Sequence, residues 1–134
     1  MRIAVVTAGL SNPSSTRVLA DELAAATRRR FGGAIEVDVI ELREHAHALV
    51  DNLLTGFPNA ALKQAIEQVT GADGLIAVTP IFTASYNALF KAFFDVLGKD
   101  AIVGMPVLIG ATGGSERHSL ALDHALRQIG RAHV

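Results

Sequence analysis

The sequence predicts an α/β domain built on a parallel sheet, and three observations carry that prediction. Short apolar runs of strand length alternate with segments of helical spacing along the chain. The connections between them suit right-handed crossovers. The 134 residues suffice for one such domain with its own core and are too few for two.

Ile3-Ala4-Val5-Val6-Thr7 has the continuous apolar character of a buried parallel strand. From about Ser15 to Arg30, helical spacing puts Leu19, Leu23 and Ala26 on one face. Arg28-Arg29-Arg30 suit the negative end of the helix dipole, and Gly32-Gly33 stop the helix. Ile35 to Ile40 alternates apolar and charged residues, which places a second strand at or near a sheet edge. Glu41 to Gly56 shows no clean period and receives no assignment. Asn59 caps a helix with Leu62, Ile66 and Val69 inward, closed by Gly71. A third strand, Gly74 to Thr79, is broken by Pro80. The helix beyond Asn87 carries Leu89, Phe90, Phe93, Phe94, Val96 and Leu97, an apolar stripe wider than one sheet contact requires, and the surplus points to a subunit interface. Pro106 to Ala111 forms a fourth strand, followed by a last helix containing Leu120, Leu122 and Leu126.

Composition excludes several functions. Half of the residues are hydrophobic and 19% are charged, so the chain packs a core rather than remaining disordered. A net charge of -1 creates no field to attract nucleic acid or an anionic membrane. The absence of cysteine rules out disulfides, thiol catalysis and thiolate metal sites. No charged-then-apolar leader opens the sequence and no apolar run approaches a bilayer span, so a cytoplasmic protein is expected.

Ligands of open parallel sheets sit beyond the carboxyl ends of the strands. Three turns converge there. The first, Ala8 to Arg17, holds Ser11, Ser14, Ser15 and Thr16 as hydroxyl donors and Arg17 as a charge, at a helix N-terminus whose orphan N–H groups favour an anion. Ser14 also suits a simple helix cap. The second turn offers Pro80, Ile81, Phe82 and Tyr86. The third, Thr112-Gly113-Gly114-Ser115, lets a ligand approach the backbone closely. Together they describe a pocket for a flat, partly polar ring bearing a phosphate arm, and flavin mononucleotide (FMN) fits that description.

From Met1 to Arg127 the sequence resembles the NADPH-dependent FMN reductases of flavodoxin-like fold, most closely those encoded beside luciferase-like monooxygenases. The resemblance rests on residues 8–17, on Thr79 to Lys91 and on Ala111 to Leu120. It implies a flavodoxin-like three-layer sandwich with strand order 2-1-3-4 and a fifth strand expected beyond. It also implies FMN phosphate at Ser11, Ser14, Ser15, Thr16 and Arg17, and the flavin ring against Pro80, Ile81, Phe82, Thr83 and Ala84 and against Thr112, Gly113, Gly114 and Ser115. His118 lies close enough in sequence to the third turn to touch the flavin or the nicotinamide, and its place in the first turn of the last helix equally suits a surface histidine. Ala88 departs from the family, which usually has glycine there, outside the ring contacts.

The implied activity is hydride transfer from NADPH or NADH to FMN, with reduced FMN passed to a partner monooxygenase and a homodimeric or homotetrameric parent protein. The cofactors carry that chemistry, so no acid–base triad is needed and no residue is assigned a catalytic role. The main alternative is a flavodoxin-type electron carrier, though this chain lacks tryptophan and a strongly acidic surface. A ligand-free interaction domain is a further possibility. A serine hydrolase built on Ser115, His118 and Asp123 lacks the Gly-x-Ser-x-Gly elbow. Walker and Rossmann glycine motifs are absent. His45 and His47, two apart, would not share a helix face for a metal.

After Arg127 the family continues through a proline-led segment into a fifth strand and a helix. Here the chain reads Gln128-Ile129-Gly130-Arg131-Ala132-His133-Val134, which matches a translated sequencing-library adapter. The expectation is therefore a flavodoxin-like domain over 1–127, incomplete at its C-terminus, with a non-native tail over 128–134.

Overall fold

A computed structural model describes residues 1–11, 14–82, 85–98 and 100–113. In chain order the elements are β1 (Arg2–Thr7), α1 (Ser15–Arg30), β2 (Glu36–Glu41), a 3-10 turn (Leu42–His45), α2 (Ala46–Thr55), α3 (Ala60–Thr70), β3 (Gly74–Phe82), β4 (Ser85–Tyr86), α4 (Ala88–Leu97) and β5 (Val107–Thr112). β2, β1, β3 and β5 lie side by side in that order, all parallel. This is the expected order 2-1-3-4, with β5 as the fourth long strand. β2 forms the predicted edge, and among the described residues β5 pairs only with β3.

Alternation along the strands sorts their side chains onto two faces. Ile3, Val5, Ile76 and Val78 face α1, where they meet Ala20 and Ala24. Ala4, Val6, Leu75 and Ala77 face the opposite layer, where Leu49 of α2, Leu62 and Val69 of α3, and Phe90 and Phe93 of α4 form the larger core. Helices thus cover both faces, giving the flavodoxin-like three-layer sandwich.

The inward stripe of α1 differs from the expected one. Thr16, Ala20 and Ala24 are its buried residues, Leu19 and Leu23 flank them, and Ala26 is exposed. Small side chains at i, i+4 and i+8 bring the helix close to the sheet, and the leucines straddle that contact. Gly110 of β5 completes the fit, since a Cβ there would stand 3.2 Å from Leu23 and 3.3 Å from Leu19. The helix ends as anticipated, with Gly32 and Gly33 both at positive φ.

Pro80 does not break the third strand. The amide of Leu75 donates to Pro106 O and the amide of Ala8 donates to Val78 O, so even-numbered residues of β3 direct their backbone polar groups toward β1. Pro80 is the residue whose N–H would continue that ladder to Ala8 O, and in its place the Asn87 side-chain amide donates to Ala8 O. The missing proline N–H therefore leaves no acceptor unmet, and β3 runs on to Phe82. Beyond it the chain turns back, so that Ser85 and Tyr86 pair antiparallel with Phe82 and Ile81.

Glu41 to Gly56, which carried no sequence assignment, closes β2 and then forms the 3-10 turn and α2. Leu49 is the buried anchor of α2, whereas Val50, Leu53 and Leu54 point outward and blur the period. On α4 the phenylalanines of the wide apolar stripe are consumed inside the chain, while Leu89, Val96 and Leu97 are partly buried. Phe90, Phe93 and Phe94 are buried, with Phe90 and Phe94 ring centroids 4.8 Å apart. The last predicted helix and residues 128–134 lie outside the described residues. Among those described, no helix is long and apolar enough to cross a membrane.

Candidate functional site

The carboxyl ends of β1, β3 and β5 come together as the topology requires. Ser14 caps α1, its hydroxyl accepting from the Arg17 amide at 3.0 Å. Ser15 opens the helix and is exposed, as is Ser11 on the turn before it. Thr16 is buried, and its Oγ1 lies 3.1 Å from Oγ1 of Thr112 at the end of β5. Thr112 is in turn the register partner of Pro80. The described parts of all three turns therefore meet. Ile81 is buried in the larger core, Gly113 is exposed, and Phe82 ends β3. Thr83, Ala84, Gly114, Ser115 and His118 lie outside the described residues.

Arg17 is not an isolated charge over the turn. Its Nε lies 2.9 Å from Asp21 Oδ1 and its Nη1 3.5 Å from Glu41 Oε2. The hydrogen bond to Asp21 is the largest influence raising its pKa above the ordinary value, against a partial desolvation penalty, so the group stays charged. Glu41, at the end of β2, also meets Arg43 at 3.4 Å. The cation is thus shared between two carboxylates beside the helix N-terminus.

Two observations test whether a phosphate fits. A Cβ at Gly9 would run into the Ser14 hydroxyl and stand 3.0 Å from Ser14 Cβ and 3.2 Å from Thr16 Cβ, so the turn folds tightly over the helix start and only glycine fits. Thr7 is buried, and its Oγ1 has no hydrogen-bond partner among the described residues. By alternation from Ile3 and Val5 it lies on the face that carries α1, and an unmet hydroxyl there is a donor ready for an anion. Both features suit the predicted cradle.

A separate apolar cavity of about 260 Å³ lies toward the amino ends of β3 and β5, lined by Ile3, Phe31, Leu75, Val107 and Leu108 among others. Among the described residues Thr27 and Asp73 are its only polar side chains, too few to orient a nucleotide. Among the described residues no cluster of three His, Cys, Asp or Glu could hold a metal.

Sequence reasoning missed three contributors to the carboxyl-end site: Thr7, Glu41 and Asn87. The Asn87 side chain caps α4 through Phe90 N at 2.9 Å and also donates to Ala8 O at 2.6 Å. Its capping role carries the same signal that marked Asn59, a polar residue before an apolar helical stripe. The bond to Ala8 has no local signal.

A parallel sheet in the order β2-β1-β3-β5, with polar turns gathered at its carboxyl ends, defines a flavodoxin-like nucleotide-binding protein. The model of the NADPH-dependent FMN reductase family matches residues 1–134. The NADH-dependent FMN reductase SfnE of Pseudomonas putida is 38% identical over 129 residues, covering 96% of this chain and 68% of the relative. An FMN reductase (NADPH) of Pseudomonas aeruginosa is 36% identical over 130 residues, with the same coverage. Among solved structures, an oxidoreductase from Corynebacterium diphtheriae superposes with a TM-score of 0.92 at 44% identity, covering 98% of this chain and 74% of that one. The NADH:FMN oxidoreductase EMOB in its apo form gives 0.87 at 37% identity, with 98% and 68% covered. The chain belongs to the NADPH-dependent FMN reductase family, and is an NAD(P)H:FMN oxidoreductase by class.

Proposed function

We propose that this chain holds FMN across the carboxyl ends of β1, β3 and β5 and reduces it with NADPH or NADH. The observation that carries the reading is the closed cradle at Gly9, Ser14 and Thr16, joined directly to the third turn through Thr112. In this reading Ser11, Ser14, Ser15, Thr16 and Arg17 surround the 5′-phosphate. Pro80, Ile81, Phe82, Thr83 and Ala84 flank one side of the flavin ring, and Thr112, Gly113, Gly114 and Ser115 the other, with His118 beside them. Bound FMN supplies the hydride acceptor. The protein's own work is to anchor the phosphate at the α1 N-terminus, to order the two ring-side turns and to limit water between them.

Delivery of reduced FMN to a flavin-dependent monooxygenase rests on the resemblance to reductases encoded beside luciferase-like monooxygenases. Self-association rests on the same resemblance. Its surface is not the phenylalanine stripe of α4, which is buried, whereas Val50, Leu53, Leu54 and Phe57 remain exposed.

Anaerobic rapid mixing of the FMN-loaded protein with NADPH, and separately with NADH, tests the activity. Bleaching of the flavin absorption band is the expected result. A band that persists with both nucleotides while FMN stays bound favours the electron-carrier alternative.

A further inference from the structure

We propose that Asn87 is a positioning residue for FMN, orienting the first peptide of the phosphate turn from the opposite layer of the sandwich. The inference rests on the FMN reading above and concerns a residue that is not among the phosphate-side and ring-side residues named there.

Asn87 is 5% exposed and uses its main chain and both ends of its amide. Its Oδ1 accepts from Phe90 N and so caps α4. Its Nδ2 donates to Ala8 O, 79 residues away. Its own amide donates to Thr79 Oγ1 at 3.3 Å, and that hydroxyl donates to Pro80 O at 2.9 Å. One buried residue therefore grips the phosphate turn, the ring-side strand end and the helix that follows.

The grip on Ala8 has a directional consequence. Ala8 N is already held by Val78 O at 2.9 Å. With its carbonyl held by Asn87, both backbone polar groups of Ala8 are fixed. A trans peptide is planar, so the Gly9 N–H points opposite to the Ala8 carbonyl, away from Asn87. The Asn87 amide thus sets the direction of the first N–H of the turn that folds over Ser14 and Thr16. Because the same side chain starts α4, it also sets the spacing between the phosphate turn and the segment Pro80 to Tyr86.

Asn87→Ser keeps a capping hydroxyl but is too short to reach Ala8. Asn87→Asp keeps the shape and the cap while replacing the donor with a carboxylate that repels the Ala8 carbonyl. FMN and riboflavin, which lacks the phosphate, are titrated by flavin fluorescence into wild type and both variants, with thermal midpoints measured on the same samples. Loss of one buried hydrogen bond that aims the turn is expected to weaken FMN about tenfold and riboflavin by less than about threefold. KM for FMN should rise in parallel while kcat stays near wild type. A merely structural cap would lower the midpoint without changing the FMN-to-riboflavin ratio, and an unchanged ratio in both variants overturns the proposal. If the serine variant does not fold, the aspartate variant decides by the same ratio. Failure of both to fold also overturns it, by making Asn87 a determinant of stability rather than position. A wild-type chain that binds neither flavin refutes the FMN reading itself, which separates that failure from the failure of this inference.

Discussion

Thr16 Oγ1 and Thr112 Oγ1 stand 3.1 Å apart, joining the first turn of α1 to the last residue of β5 across 96 positions of sequence. Thr16 is buried, so its hydroxyl has no ready alternative in water. Thr16→Val should destabilise the chain by about 1–2 kcal/mol, and Thr112→Val by a similar or smaller amount. The double variant should cost clearly less than the two together, because each single change strands the other hydroxyl. Urea unfolding of the four proteins measures the cycle, and strict additivity would show that the two hydroxyls do not bond.

Gly9 is the residue whose replacement most directly tests the cradle. Gly9→Ala drives a methyl into Ser14, so the cap or the turn must move. FMN affinity should fall at least about tenfold. Adding Ser14→Ala removes the clash with the hydroxyl, leaving the tighter contacts with the two Cβ atoms, and should restore part of the affinity while lowering stability by about 1 kcal/mol through loss of the cap. Flavin titration together with thermal unfolding separates the two effects.

Arg17 shares its charge between Asp21 and Glu41, and this sets an expectation of opposite signs. Arg17→Ala should weaken FMN about threefold to tenfold. Glu41→Gln and Asp21→Asn, which leave the guanidinium less neutralised, should each tighten it by up to about threefold. The hydrogen bond to Asp21 raises the pKa of Arg17, so the cation is lost only when pH climbs through that raised value. Arg17 itself should therefore give FMN affinity no pH dependence between about pH 6 and 9. Titrations of wild type and Arg17→Ala across that window should run parallel.

Phe93 and Leu54 make the contrast between core and surface measurable. Phe93 is fully buried, and Phe93→Ala should cost about 3–5 kcal/mol. Leu54 is 81% exposed at the outer side of α2, and Leu54→Ala should change the stability of the isolated chain by less than about 0.5 kcal/mol. If Leu54 contributes to self-association, Leu54→Glu should shift the sedimentation of the protein toward monomer at unchanged secondary structure.

Much of this architecture is legible in the chain because it follows from local pattern. Asn59 and Gly71 bracket α3 as read, and the alternation of Ile35 to Ile40 marks the edge strand correctly. Ser14 shows itself as a cap because the partner amide is three residues away. Pro80 was misleading for a physical reason. A proline breaks a strand only where the acceptor its N–H would meet is left without a donor, and nothing around residue 80 shows that the Asn87 amide meets Ala8 O. The Phe90, Phe93 and Phe94 stripe likewise reads as surplus until α2 is placed against it, and α2 itself is hard to recognise because much of its apolar surface faces outward.

By itself the sequence determined the alternation of strands and helices, the caps, the edge strand and the hydroxyl-rich turn at the start of α1, all of which arise from contacts within a few residues. The three-dimensional fold decided which parts of those turns touch. Thr16 finds Thr112, Arg17 finds Glu41, and Asn87 finds Ala8 only when the parallel sheet brings distant strand ends to one edge. Side-chain bonds of that kind depend on register and crossover geometry, to which no short stretch of sequence is sensitive.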